Sequence, residues 1–208
     1  LSENLFEGLA PWLQKLPGGL IHVNVVGCAL FAAISGSSAA TVATVGKMSI
    51  PELRKRKYPE KILLGSLAGS GTLGLLIPPS IILIIYGVTV QESIAKLFIA
   101  GIIPGIMIAL IFMGYVIVWS LLNKNKMPTN YENFSFLNKL GKSKQLIPVI
   151  LLILGVIGSI YTGIATATEA ASLGVVGALI LSYFQKSLTF KTFKDSLLGA
   201  TKTSCMIA

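Results

Sequence analysis

Charge is scarce in this chain. Asp, Glu, Lys and Arg make up 12% of its 208 residues, against roughly a quarter in soluble globular domains. With 53% hydrophobic residues and a mean hydropathy of +0.79, that scarcity argues against a soluble domain and for an integral membrane protein. Acidic residues are the scarcer kind, 8 against 17 basic. The resulting net charge of +9 would by itself suit a nucleic-acid partner, but its placement excludes one. Six cations fall within 47–61, five within 124–144 and four within 186–202. These clusters lie between apolar spans, as cytoplasmic loop charges do. Histidine is limited to His22, and cysteine to Cys28 and Cys205. None has metal-ligand spacing, and the cysteines read as buried free thiols. No carboxylate stands near His22 to orient it, so no catalytic constellation is present and the chain is not expected to be an enzyme. A lone membrane histidine is a site candidate by default, and His22 can equally cap or pack. No charged n-region, apolar h-region and cleavage site open the sequence, so no signal peptide is expected. Leu1 is not a natural start, which implies a trimmed N-terminus.

What is present is organised around Ile34-Ser35-Gly36-Ser37-Ser38-Ala39-Ala40-Thr41. This knot of small and hydroxyl residues sits inside apolar sequence. The arm before it is apolar over 20–31, and the arm after it only as far as Pro51. Neither reaches the roughly 20 residues that a spanning helix needs. Two short arms and a small polar tip read as a re-entrant helical hairpin over 20–50, tolerable in lipid where protein or a wet cavity surrounds the broken backbone. Ser35, Gly36, Ser37, Ser38 and Thr41 then offer hydroxyl and carbonyl oxygens, with free amides at a half-helix end, to a small cation or an anionic group. The competing reading is a small-residue patch for close helix packing.

Residues 1–19 mix charge with Leu5, Phe6, Leu9, Leu13 and Leu16 at helical spacing. They predict an amphipathic helix at the membrane surface, ended by Pro17-Gly18-Gly19 and anchored by Trp12. After the basic run Arg54-Lys55-Arg56-Lys57, a long apolar span over 62–88 is interrupted at Pro78-Pro79. Proline removes a helix donor and clashes with the preceding turn. A break at mid-depth is the discontinuous helix of transporter sites, or a proline kink without a ligand. Gly71, Thr72 and Ser80 lie beside that break. Gly69-Ser70-Gly71-Thr72-Leu73-Gly74 matches the dinucleotide fingerprint, but no strand or βαβ unit frames it. A transmembrane helix follows over 97–122, completing a segment 51–122. Residues 123–145 read as a basic cytoplasmic loop, and 146–208 as two further spans and the start of another. Basic loops at 47–61, 123–145 and 186–202 fall on the cytoplasmic side. The turns near 89–96 and 161–168 fall on the other, with Lys96 the only cation there. Thr168 and Glu169 stand in an apolar neighbourhood. Glu169 could couple ions or protons, or, as this reading prefers, complement the helix that follows, with Thr166 or Thr168 as cap.

Three motifs carry a resemblance. Ser35-Gly36-Ser37-Ser38-Ala39-Ala40-Thr41, then Gly74-Leu75-Leu76-Ile77-Pro78-Pro79-Ser80-Ile81 followed by Tyr86-Gly87-Val88, then Ala167-Thr168-Glu169-Ala170-Ala171 resemble the large membrane subunit of TRAP (tripartite ATP-independent periplasmic) transporters, the DctM or SiaM type. The family's subunit is about twice as long and built of inverted repeats of the transporter kind. The chain resembles the first repeat and the opening of the second, without the second hairpin and second broken helix. The resemblance implies an all-α, multi-pass protein of the bacterial inner membrane, half of an elevator-type carrier. It implies sodium-driven import of small organic acids such as sialic acid or C4-dicarboxylates, with no cofactor beyond the coupling ion. The implied partners are a small TRAP membrane subunit, a periplasmic substrate-binding protein and the lipid bilayer. One sodium ion would lie between the hairpin tip and the Pro78-Pro79 break, with Ser37, Ser38, Gly71 and Thr72 as its donors. The alternatives are a membrane scaffold that does not transport, another ion-coupled carrier, or a channel.

Overall fold

The structure, a computed structural model of the chain, describes residues 2–128, 141, 144, 146–185 and 187–207. The described residues are helical, with no strand among them. In chain order the helices are α1 (Ser2–Leu13), α2 (His22–Ser35), α3 (Ser38–Lys55), α4 (Glu60–Gly71), α5 (Ile81–Thr89), α6 (Ile94–Leu122), α7 (Ile147–Tyr161), α8 (Ala167–Phe184) and α9 (Phe190–Ile207). Short 3-10 turns occupy Gly19–Ile21, Thr72–Leu75 and Lys124–Lys126. Two compact units divide the chain, Leu1–Ile153 and Leu154–Ala208.

In the first unit α2, α3 and α4 pack on one another, α1 lies against α2 and α3, and α6 runs along α2, α4 and α5. The core follows from the apolar stripes of these helices. Ile21, Val23, Val45, Leu53, Leu63 and Val116 are shut away from solvent. A second, smaller cluster of Val25, Ala32 and Leu73 lies against Ile77, Ile108 and Phe112. Cys28 is a buried free thiol, and Cys205 is exposed.

Among the described residues, two helices are long and apolar enough to cross a membrane, α6 with 29 residues and α8 with 18. At about 1.5 Å per residue, α6 exceeds the roughly 30 Å of a hydrocarbon core. Its outer face is an unbroken apolar stripe through Ile99, Ile103, Met107, Leu110 and Val118, with Ile103 77% exposed. Water does not tolerate such a stripe on a soluble helix of this length, whereas lipid does.

Several boundaries differ from the sequence pattern. The first helix ends at Leu13, short of Pro17. α3 continues through Pro51 to Lys55, because fully buried Leu53 and the Glu52–Arg56 ion pair at 3.7 Å hold the extra turn. The apolar span 62–88 opens earlier than its prolines. α4 stops at Gly71, and a 3-10 turn and a non-helical stretch carry the chain to Ser80. In the second unit, α9 begins at Phe190, inside the polar segment, and runs on through the apolar stretch from Leu197. Most of the basic loop expected over 123–145, Lys139 included, lies outside the described residues.

Candidate functional site

Gly36 and Ser37 join α2 to α3 in two residues. Gly36 takes the left-handed conformation, φ 59°, and its amide donates to the Ala32 carbonyl to close α2. A residue with a Cβ would be strained there, and its Cβ would also meet the Pro79 carbonyl at 2.5 Å. Ser37 is extended and caps α3, its Oγ accepting from the Ala40 amide at 3.4 Å. Thr41 Oγ1 donates to the Ser37 carbonyl at 2.7 Å and shares a 2.9 Å bond with Ser35 Oγ. These hydroxyls fix the shape of the tip from within.

The tip faces the interrupted stretch. Ser38 Oγ donates to the Gly71 carbonyl at 2.9 Å, and the Ile81 amide donates to the Gly36 carbonyl at 3.2 Å. Four helix ends therefore converge. The carbonyl end of α4 meets the amide end of α3, and the carbonyl end of α2 meets the amide end of α5. Each end leaves backbone groups without intrahelical partners and carries a partial charge, positive at the amide ends and negative at the carbonyl ends. Gly74 makes the approach possible, since a Cβ on it would lie 2.8 Å from Ser38 N and 2.9 Å from Ser37 C. A Cβ on Gly71 would come closer still to the Val42 side chain. On the far side the stretch lies on α6 at Gly101 and Gly105, where a Cβ would meet the Leu76 carbonyl at 2.8 Å and Ile77 Cγ1 at 2.9 Å. This small-x-x-x-small step, unremarked in the sequence, is what lets unwound backbone sit against a helix.

The remaining sequence-nominated residues divide. Pro78 is buried and Pro79 half-buried, joined by a cis peptide. Ser80 is fully buried, its Oγ donating to the Leu75 carbonyl at 2.6 Å. Thr72 is exposed and turned back on its own helix, donating to the Gly69 carbonyl at 2.7 Å. Of the four proposed sodium donors, Ser38 and Gly71 touch one another, Ser37 caps its helix, and Thr72 points elsewhere. His22 is fully buried and donates from Nε2 to the Pro17 carbonyl at 2.8 Å. At the base of the hairpin, Tyr58 Oη accepts from the Leu20 amide at 3.0 Å, and Arg54 Nε pairs with Glu60 Oε1 at 2.6 Å. That hydrogen bond, with the carboxylate's charge, raises the Arg54 guanidinium above its ordinary pKa.

Thr168 and Glu169 belong to the second unit. Glu169 closes a capping box at the start of α8. Its Oε2 accepts from the Thr166 amide and hydroxyl, each at 2.8 Å, and its amide donates to Thr166 Oγ1 at 3.4 Å. Thr166 is thus the cap. Thr168 is exposed, its carbonyl accepting from Ser172 Oγ at 3.3 Å.

No charged side chain takes part in the convergence of tip and interrupted stretch. Its polar atoms are hydroxyl and carbonyl oxygens and helix-end amides, a donor set for hard monovalent ions and polar solutes. Among the described residues no group of three or more His, Cys, Asp and Glu could hold a metal ion.

The profile of the family described as "Tripartite ATP-independent periplasmic transporter, DctM component" matches residues 1–208. The chain is 36% identical over 208 residues to the C4-dicarboxylate TRAP transporter large permease protein of Pseudomonas aeruginosa, covering 100% of this chain and 48% of that protein. It is 37% identical over 211 residues to the isethionate TRAP transporter permease protein of Oleidesulfovibrio alaskensis, covering 100% of this chain and 32% of the relative. With the sialic acid TRAP transporter permease protein of Haemophilus influenzae it shares 36% identity over 210 residues, 100% of this chain and 33% of the relative. The chain therefore spans a third to a half of the length of these curated relatives.

Proposed function

This chain belongs to the DctM component family of tripartite ATP-independent periplasmic transporters, and from that premise we propose that it forms part of the membrane subunit of a sodium-coupled importer of small organic anions. The named substrates of its relatives, a C4-dicarboxylate, isethionate and sialic acid, share an acidic group on a small polar body. A soluble periplasmic protein delivers such a solute, and a small membrane subunit accompanies the permease. One relative is named DctMQ, which accords with a small subunit joined to the large one. The setting is the bacterial inner membrane, where the short hairpin α2–α3 enters and leaves on the cytoplasmic side.

One observation carries the mechanism: the Ser38 hydroxyl resting on the Gly71 carbonyl at 2.9 Å, where two helices end. A sodium ion suits this convergence. It takes hard neutral oxygens, and the carbonyl ends of α2 and α4 carry partial negative charge. The Gly71 and Gly36 carbonyls and the Ser38 hydroxyl are the available donors. The amide ends of α3 and α5 offer the complementary field for an acidic solute group on the neighbouring face. Holding an ion there joins the hairpin to the broken helix, so solute affinity rises with sodium by reciprocal coupling.

The test is Ser38→Ala in the complete subunit, reconstituted with its small subunit and binding protein. Removing one neutral oxygen is worth about 1 kcal/mol, roughly a fivefold rise in the sodium concentration for half-maximal uptake. Unchanged sodium activation at normal protein level would remove Ser38 from the ion site and leave the convergence a packing device.

A further inference from the structure

Well below the tip, the hairpin has a second polar locus that the transport reading does not use. Asn24 is fully buried in α2. Its Nδ2 donates to the Leu63 carbonyl at 3.1 Å and to Ser66 Oγ at 3.0 Å, both on α4. Its Oδ1 is buried with no hydrogen-bond partner. Turning the amide over would set its oxygen against the Leu63 carbonyl, so the unpartnered atom is the oxygen. Ser49 on α3 is also fully buried, and its Oγ likewise has no partner, not even a carbonyl of its own helix.

Helix register places these two residues at facing positions of α2 and α3. Gly27 of α2 lies against Val45 of α3, a Cβ on Gly27 coming within 3.6 Å of Val45 Cγ1. One turn toward the base, this antiparallel pair becomes Asn24 and Ser49. On α3, Val42 faces Gly71 and Gly46 faces Leu67, both on α4. The next step along that register reaches Leu63, the residue whose carbonyl holds Asn24. At about 100° per residue, Ser49 points between the direction of Val45, toward α2, and that of Val42 and Gly46, toward α4. It faces the groove where Asn24 sits.

We propose that Asn24 and Ser49, with Ser66 behind them, enclose a binding site for one water molecule, which donates to Asn24 Oδ1 and accepts from the Ser49 hydroxyl. Buried polar atoms are almost always satisfied, by protein or by ordered water. A water needs two to four polar partners, and the site supplies them. A bare cation does not fit, since hard cations take about six oxygens and only two are spare here. The water joins α2 to α3 where Asn24 already joins α2 to α4, so three helices are cross-linked at the base of the hairpin. The site lies about 16 Å along α2 from Ser35, and it stands whether or not the tip binds sodium.

Ser49→Ala in the complete subunit tests this by the sign of its effect. If the site is dry, the variant deletes an unpaired buried hydroxyl, and the unfolding temperature rises or holds. If water bridges the pair, the variant strips the water of a partner. The unfolding temperature then falls by a few degrees, although Ala is the better helix former. The same fall is expected in sodium chloride and in choline chloride; a fall confined to sodium would show a cation in place of water and overturn the proposal. A map of the wild-type subunit fine enough to show ordered solvent should hold one peak within hydrogen-bonding distance of both oxygens. A rise or no change on Ser49→Ala, or an empty map, also overturns it.

Discussion

Gly74→Ala probes the meeting of tip and interrupted stretch with a single methyl group. That methyl would lie 2.8 Å from Ser38 N and 2.9 Å from Ser37 C and Ser38 Cα, where ordinary contact begins at 3.4 Å. The atoms in the way are backbone, and they cannot swing aside. The tip is pinned from both sides, by Ser38 on Gly71 at 2.9 Å and by the Ile81 amide on Gly36 at 3.2 Å. Relief therefore means opening the tip by roughly half an ångström or more and loosening both bonds. Overpacking of this kind costs about 1–3 kcal/mol, which is roughly 5- to 150-fold in the population of the closed arrangement. In the reconstituted complete subunit, sodium-driven uptake at sub-saturating sodium should fall within that range, and the unfolding temperature should drop. Gly65→Ala is the matched control. Nothing lies within 4 Å of a Cβ on Gly65, in mid-α4, so Ala should be neutral or stabilising by about 0.5–1 kcal/mol. Wild-type sodium dependence and stability for Gly74→Ala would refute the claim that tip and stretch meet backbone to backbone.

The platform under the stretch makes a related prediction. Gly101→Ala should impair uptake and lower the unfolding temperature more than Gly105→Ala, because the first meets the Leu76 carbonyl and the second a side-chain carbon of Ile77; equal effects would count against a backbone contact. Thr166→Ala should cost about 1 kcal/mol of helix-start stability, read as faster amide exchange at the first turn of α8, with sodium dependence unchanged. Altered sodium dependence would return Glu169 to the coupling role. Single cysteines at Asn125 and Gln91, both exposed at opposite ends of α6, should label from the cytoplasm and the periplasm respectively. The background needs Cys205 replaced, since it is exposed and Cys28 is buried, and periplasmic labelling of Asn125 in intact cells would invert the topology.

Much of the helical architecture could be read from apolar run lengths. α6 and α8 announce themselves as long runs, and α2 as a run too short to span. Termini were less legible, for identifiable reasons. Proline is the strongest local signal in 62–88, yet α4 ends at Gly71, seven residues before Pro78. What ends it there is tertiary: Gly71 and Gly74 must admit Val42 and the Ser37–Ser38 backbone, and only an opened turn presents them. Pro51 misled in the opposite sense, because buried Leu53 and an ion pair carry α3 past it. Asn24, with its free oxygen, carried no pattern at all, since a single amide among apolar residues has no period or motif.

The serines of the tip show where sequence reasoning stops and geometry takes over. Ser37 and Ser38 are chemically identical neighbours, and in sequence either hydroxyl could face an ion. The chain's turn separates them. Ser37 is extended, outside the helix, so its Oγ curls onto the Ala40 amide as a cap. Ser38 is the first helical residue, and its hydroxyl reaches across to Gly71. The two alanine variants should therefore fail differently. Ser37→Ala gives up a cap worth about 1 kcal/mol and should lower stability with the sodium midpoint nearly kept. Ser38→Ala gives up the side-chain bond that ties the tip to α4 and should shift the midpoint as well as lower stability by about 1 kcal/mol. Comparing sodium activation with unfolding temperature for the pair separates cap from ligand. If both variants move both quantities alike, the division of labour between the two serines is wrong, and the tip acts as one unit through its backbone.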